Sequence, residues 1–250
     1  MTWRHVVVVL TMACVAGCAS AGDVRLISSD TVVDITQPDE QEQSTTADIT
    51  QSTVPVELDV VIPELVWVPL GSGTESTELE VPLDYRYPDG QTISLYVVRH
   101  SARNPDERIG SLLVNPGGPG FGGTVLAASA TQIYDAELLD RFDIVGWDPR
   151  GTGLSEPSID CIDDYDPFFA EIDITPETDE EARELVAVAQ EFADRCVSAN
   201  DGLAEFVGTN NSARDMDVLR RALGEDTISL FGFSYGSELG ATWATLFPET

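Results

Sequence analysis

Ile228-Ser-Leu-Phe-Gly-Phe-Ser-Tyr-Gly-Ser-Glu-Leu-Gly240 is the stretch whose reading decides the fold. A short apolar run meets a sharp turn at Ser234, and an apolar pattern of helical spacing follows through Leu239, Trp243, Leu246 and Phe247. Gly232 and Gly236 leave no side chain where a strand must fold back tightly into a helix, which is the G-x-S-x-G arrangement that lifts a serine hydroxyl off the backbone. The run before Ser234 reads as a buried strand, and Ser234 is the candidate nucleophile.

Upstream, the pattern alternates strands with helices. Thr77–Leu83 and Thr92–Val98 flank the turn formers Tyr87-Pro-Asp-Gly90 and read as antiparallel strands at a sheet edge. Ser111–Val114 is a short apolar strand that runs into Asn115-Pro-Gly-Gly-Pro-Gly120, and Val125–Leu139 is expected to be one helix. Phe142–Trp147 is a second buried strand, ending in Asp148-Pro-Arg-Gly-Thr-Gly-Leu-Ser155. An irregular acidic region around Asp163–Asp166 precedes a helix over Glu177–Val197, with Leu185, Val188, Ala189 and Phe192 on one face. Its opening acids, Glu177, Asp179, Glu180 and Glu181, are assigned to the helix dipole rather than to a ligand. A further helix over Ser212–Leu223 takes Asn210, Asn211 or Ser212 as its cap and stops at Gly224. Alternation of this kind implies an α/β fold with a mostly parallel sheet covered by helices on both faces.

A serine hydroxyl needs a base to remove its proton and donors to hold the oxyanion. One donor is the backbone N–H of Tyr235, next after Ser234. The second belongs on the loop after the earlier strand, where Gly117 and Gly118 sit. No metal cluster and no cofactor fingerprint accompany them.

The chain has 250 residues, 42% of them hydrophobic, and a formal net charge of -31. It contains no lysine, so every amino-acid cation but histidine is an arginine. Such a charge argues against nucleic acid or an anionic membrane surface as an electrostatic partner. Arg4 and His5 precede the apolar run Val6–Val15, which is too short to span a bilayer comfortably and suits a secretory h-region. Val15-Ala-Gly-Cys18 resembles the lipobox of bacterial lipoproteins, with cleavage before an acylated Cys18. The competing reading is a plain signal peptide cut after Ala19, Ala21 or Gly22. Residues 1–17 are therefore expected to be a leader, and residues 18–63 a disordered acidic tether with few aromatics. Residues 64–250 form the folded part. Cys14 leaves with the leader and Cys18 is acylated, so Cys161 and Cys196 remain, at a spacing that fits no zinc motif. In an exported protein a disulfide between them is favoured over two buried thiols.

Together, Asn115-Pro-Gly-Gly-Pro-Gly, Trp147-Asp-Pro-Arg-Gly-Thr-Gly-Leu-Ser and Gly232-Phe-Ser-Tyr-Gly resemble the α/β-hydrolase fold. More narrowly, with Ala213-Arg-Asp-Met-Asp-Val-Leu-Arg-Arg-Ala-Leu-Gly-Glu-Asp, they resemble the proline iminopeptidase and actinobacterial tripeptidyl aminopeptidase group of secreted serine exopeptidases. The resemblance covers roughly Leu65–Thr250. It implies Ser234 as nucleophile, with Tyr235 and Gly118 as oxyanion donors. It also implies an acyl-enzyme route to N-terminal residues or short peptides. Asp148 and Arg150 are expected to brace their loop, as an Asp-cap and a buried ion pair, rather than to react.

In this fold the triad runs serine, acid, histidine along the chain. Here His5 and His100 both precede Ser234, and His100 reads as a solvated strand-end residue rather than a base. The sequence is therefore expected to be the N-terminal portion of such an enzyme, lacking later strands, cap, acid and histidine, and inactive alone. An esterase or lipase shares every motif present, and a non-catalytic surface lipoprotein that keeps the serine turn as a relic is the alternative from another class. The expected location is outside the cytoplasm, lipid-anchored or secreted, and the expected substrate a peptide or an ester. Cys18→Ser is predicted to abolish detergent partitioning and the lipid increment in the N-terminal mass. An unchanged partition and mass would refute the anchor.

Overall fold

The computed structural model describes residues 59–250. The expected leader, the acylated Cys18 and most of the tether lie outside the described residues. Six strands form one mixed sheet in the order β1-β2-β3-β5-β4-β6. They are β1 (Val68–Gly71), β2 (Thr74–Pro82), β3 (Thr92–His100), β4 (Gly110–Asn115), β5 (Phe142–Trp147) and β6 (Ser229–Gly232). β1, β2 and β3 pair antiparallel, β3 pairs antiparallel with β5, and β5-β4-β6 is parallel. Four strands, β2, β4, β5 and β6, thus point the same way.

Period-two alternation sends neighbouring side chains to opposite faces, and here both faces are apolar. Leu79, Val81, Ile93, Leu95, Val97, Leu113 and Val145 face one layer. That layer is α6 (Thr209–Ala222), through Met216 and Leu219, and α7 (Tyr235–Leu246), through Leu239 and Trp243. Val98, Leu112, Val114 and Ile144 face the other, made by α1 (Thr124–Ala128), α2 (Ala130–Ile133) and α3 (Ala136–Arg141). Helices therefore cover both faces, and all six residues of β4 are buried.

Four expectations are corrected. The helix expected over Val125–Leu139 is three short segments. Ala127, Ala130, Tyr134 and Leu139 all reach the sheet, and the last step of five residues does not fit a straight 3.6-residue repeat. The chain breaks at Tyr134, and Asp135 caps a new turn by accepting from Leu138 N–H. α6 begins at Thr209 behind Gly208 rather than at Ser212. The strand before Ser234 is not buried: β6 pairs only with β4 among the described residues, so Phe231 and Phe233 stay about half exposed. His100 is not solvated but buried, opposite Thr74 in β2 and Ile144 in β5, and its Nδ1 has no partner.

α4 (Asp166–Phe169) and α5 (Asp179–Ala199) follow β5. Thr178 and Glu181 form a reciprocal capping box at the start of α5, so Glu181 serves the helix end, as its position suggested. Leu185, Val188 and Phe192 are half-buried, Ala189 is exposed, and no residue of α5 is fully covered. A Cys161–Cys196 disulfide ties the acidic segment to this helix.

The densest polar feature is Arg150. Its Nε and Nη2 donate to Asp215 Oδ2 and Oδ1 at 2.7 and 2.6 Å. Nη1 donates to Leu83 O and Phe206 O, and Nη2 also to Pro82 O. Tyr85 Oη donates to Asp215 Oδ1 at 2.7 Å. Both charged side chains are fully buried. Burial pushes the Asp215 carboxyl up, and the Arg150 guanidinium and the Tyr85 hydroxyl oppose it. Removing one partner strands the other charge without solvent. Arg150→Ala should lower stability by about 3–5 kcal/mol in urea unfolding, far more than Arg86→Ala at the exposed Arg86–Asp84 pair.

Candidate active site

β6 ends at Gly232 and α7 begins at Tyr235, so the reversal occupies two residues. A Cβ on Gly232 would lie 2.5 Å from the carbonyl carbon and oxygen of Gly236, so strand and helix meet backbone to backbone there. Phe233 N–H donates to Asn115 O at 3.0 Å, fixing the turn to the end of β4. Gly236 N–H donates to Phe233 O and Ser237 N–H to Ser234 O, closing the first turn of α7. Ser234 is held at φ 50°, ψ -122°, a region L-residues rarely adopt, and it is exposed. The hydroxyl stands at the carboxyl end of the parallel strands and at the amino end of α7, where backbone N–H groups are free of intrahelical partners.

The glycine loop after β4 comes to the same place. A Cβ on Gly117, whose φ is +92°, would stand 2.4 Å from Phe233 O and 3.1 Å from both Ser234 Cβ and Tyr235 N. Gly117 N–H itself donates to Asn115 Oδ1 at 2.9 Å. Gly118, also at positive φ, has no such bond within the protein among the described residues. The structure thus brings Ser234, the Tyr235 N–H and Gly117 together, and Gly118, next in the same loop, is the glycine whose donor is uncommitted. The Tyr235 hydroxyl lies 2.7 Å from Thr209 Oγ1, which ties the residue after Ser234 to the start of α6.

Asp148 and Arg150 take the bracing roles expected of them. Asp148 Oδ1 accepts from Thr124 N–H and Oγ1–H, and its Oδ2 from Leu154 N–H, so it caps α1 and folds the following loop around itself. Arg150 sits in the buried network with Asp215. His100 lies far away. It is level with Leu112 and Ser229, while Ser234 is five residues past Ser229 and three strands across, which is roughly 20 Å at ordinary strand spacings. Cys161 and Cys196 meet, as the disulfide shows.

Two residues were missed in the sequence. Asp215 is fully buried and receives Arg150, and the available signal was an acid placed beside Ala213, Met216 and Leu219 on the apolar stripe of α6. Asn115 is 1% exposed and holds the glycine loop through Gly117 N–H, an Asx turn whose signal was the asparagine two residues before the glycine.

A family model described as alpha/beta hydrolase fold matches residues 110–250. The serine protease Hip1 of Mycobacterium tuberculosis is 38% identical over 187 residues, 73% of this chain and 35% of its own length. A tripeptidyl aminopeptidase of Streptomyces lividans is 39% identical over 173 residues, 68% of this chain and 32% of its own. Carboxylesterase B of Mycobacterium tuberculosis is 40% identical over 150 residues, 58% of this chain and 28% of its own. The chain thus spans about a third of the length of the curated relatives it matches.

The contact between loop and turn can be tested directly. Gly117→Ala carries a positive-φ penalty of about 1–3 kcal/mol and, in addition, drives its methyl into Phe233 O. Gly120→Ala carries the same kind of penalty at φ +103° but meets nothing within 4 Å. Thermal unfolding should therefore show a clearly larger fall in Tm for Gly117→Ala than for Gly120→Ala.

Proposed function

The chain belongs to the alpha/beta hydrolase fold family, and on that premise we propose that it carries the nucleophile and oxyanion donors of a serine hydrolase. The observation that supports this best is Ser234 held at φ 50° between β6 and α7, with Gly117 packed against it. A strained, exposed serine at a helix N-terminus beside a second glycine loop is what acyl transfer requires. Ser234 Oγ attacks the substrate carbonyl carbon, and its proton passes to a base and then to the departing amine or alcohol. The oxyanion forms between the N–H groups of Tyr235 and Gly118. Water then cleaves the acyl–Ser234 ester.

Among the described residues the histidine is His100, and it does not supply that base, because it is at the far end of the sheet. The described residues leave Ser234 without a histidine to activate it, so these 250 residues alone should hydrolyse substrate poorly. The relatives named as a serine protease and a tripeptidyl aminopeptidase favour a peptide substrate cleaved near its amino terminus. Carboxylesterase B supports an ester substrate as the second reading. Export with a lipid on Cys18 completes the proposal. The Cys161–Cys196 disulfide supports export, because such bonds persist in oxidising compartments.

A fluorophosphonate probe applied to the native protein from its own cells should release fluoride and leave a phosphonyl adduct on Ser234, absent in Ser234→Ala. Incubation with free-amino-terminal oligopeptides should release short N-terminal peptides. An adduct on another residue, or none on the folded native protein, would sink the assignment of Ser234.

A further inference from the structure

Beside the serine turn lies a cavity of about 390 Å³ that the nucleophile and its oxyanion donors leave unused. It opens between the glycine loop after β4, the loop after β5 and the amino-terminal parts of α6 and α7. Gly117 and Tyr235 belong both to its lining and to the immediate surroundings of Ser234, so the cavity adjoins the reacting centre. Its apolar lining includes Pro119, Phe121, Ile159, Val207 and Leu239. Ile159 and Val207 converge at Gly151: a Cβ there would stand 2.9 Å from Val207 Cγ1 and 3.2 Å from Ile159 Cγ1.

The polar lining offers donors but no spare charge. Arg150 reaches the cavity, yet its guanidinium is consumed by Asp215 and three backbone carbonyls. Asn115 and Ser212 are buried at 1% and 4% exposure. Asn115 uses Oδ1 on Gly117 N–H, and its Nδ2 and the Ser212 hydroxyl have no protein partner among the described residues. A volume of this size lies at the small end of ligand pockets, enough for one side chain or a short acyl chain. A charged group entering it would lose water and find no opposite charge free to meet it.

We propose that this cavity receives the side chain of the acyl residue, the one whose carbonyl Ser234 attacks, and selects a single uncharged, mainly apolar group. Ile159 and Val207 set its width, and Asn115 and Ser212 supply hydrogen bonds to a polar tip. The proposal rests on Ser234 being the nucleophile. It applies equally to peptide and ester substrates, because the acyl side is common to both.

The test uses the full native protein with 4-nitrophenyl esters of N-acetyl-glycine, -leucine, -phenylalanine, -lysine and -glutamate. Leucine and phenylalanine esters should exceed lysine and glutamate esters in kcat/KM by ~100-fold or more. Val207→Trp, and independently Ile159→Trp, should lower the leucine and phenylalanine values ~10- to 100-fold more than they lower the glycine value. Equal turnover of charged and apolar esters, or a folded tryptophan variant that keeps the leucine preference, overturns the pocket. Saturation-transfer NMR with N-acetyl-leucinamide separates this from the reading beneath it. Binding should persist in Ser234→Ala and vanish in Val207→Trp, whereas binding that ignores Val207→Trp overturns the pocket. Hydrolysis that survives Ser234→Ala would overturn the nucleophile instead, with the NMR result still judging the pocket.

Discussion

The Arg150–Asp215 pair is the interaction on which the arrangement around Ser234 depends. One guanidinium gathers the end of β2 through Pro82 and Leu83, the approach to α6 through Phe206, and α6 itself through Asp215. Both charges are fully removed from water, so the pair is a poor source of net stability, because desolvation offsets much of the attraction. Its contribution is directional. A planar fork with five donors accepts one arrangement of carboxylate and carbonyls, and that arrangement sets α6 against the sheet. α6 in turn touches Tyr235 through Thr209 and packs beside α7, so the position of the residue after Ser234 inherits the geometry of a pair several elements away.

A second constraint is local. Ser234 holds an unfavourable backbone conformation because β6 and α7 meet through Gly232 and Gly236 and because Phe233 is tied to Asn115 O. The glycine loop presses on the same two peptide units from the other side. Asn115 serves both halves: its carbonyl holds the turn and its side chain holds Gly117. The strain at the serine is thus balanced by contacts from β4.

Charge plays a different part on the surface. The chain carries 44 acids against 13 arginines, and most described arginines are drawn into pairs or carbonyl contacts. Arg108, for example, bridges Asp143 on β5 and Glu225 before β6, lacing the amino ends of the parallel strands. Arginine here braces structure, and the long-range field is left to the carboxylates, whose mutual repulsion keeps the surface solvated.

Much of the fold could be read from residue pattern, since strand alternation, helical spacing and the glycines around Ser234 are local properties of the chain. The acids at the start of α5 and the stop of α6 at Gly224 were legible for the same reason. The break at Tyr134 was not, because it arises from how Ala127, Ala130, Tyr134 and Leu139 must all reach one sheet face. The half-exposure of β6 follows from its pairing with β4 alone among the described residues, because strand burial depends on neighbours and an apolar run looks the same at the centre of a sheet and at its edge. His100 shows the same limit: its place at the end of β3 was evident, and only its pairing with β2 and β5 buried it. The sequence by itself determined which serine turns and which glycines accompany it, since that depends on residues adjacent in the chain. Only the tertiary structure decided that Asp215 meets Arg150 and that Gly117 packs against Phe233 O and Ser234 Cβ. It also decided that a cavity opens beside Ser234. These are encounters between side chains and loops whose distance in space the linear order does not encode.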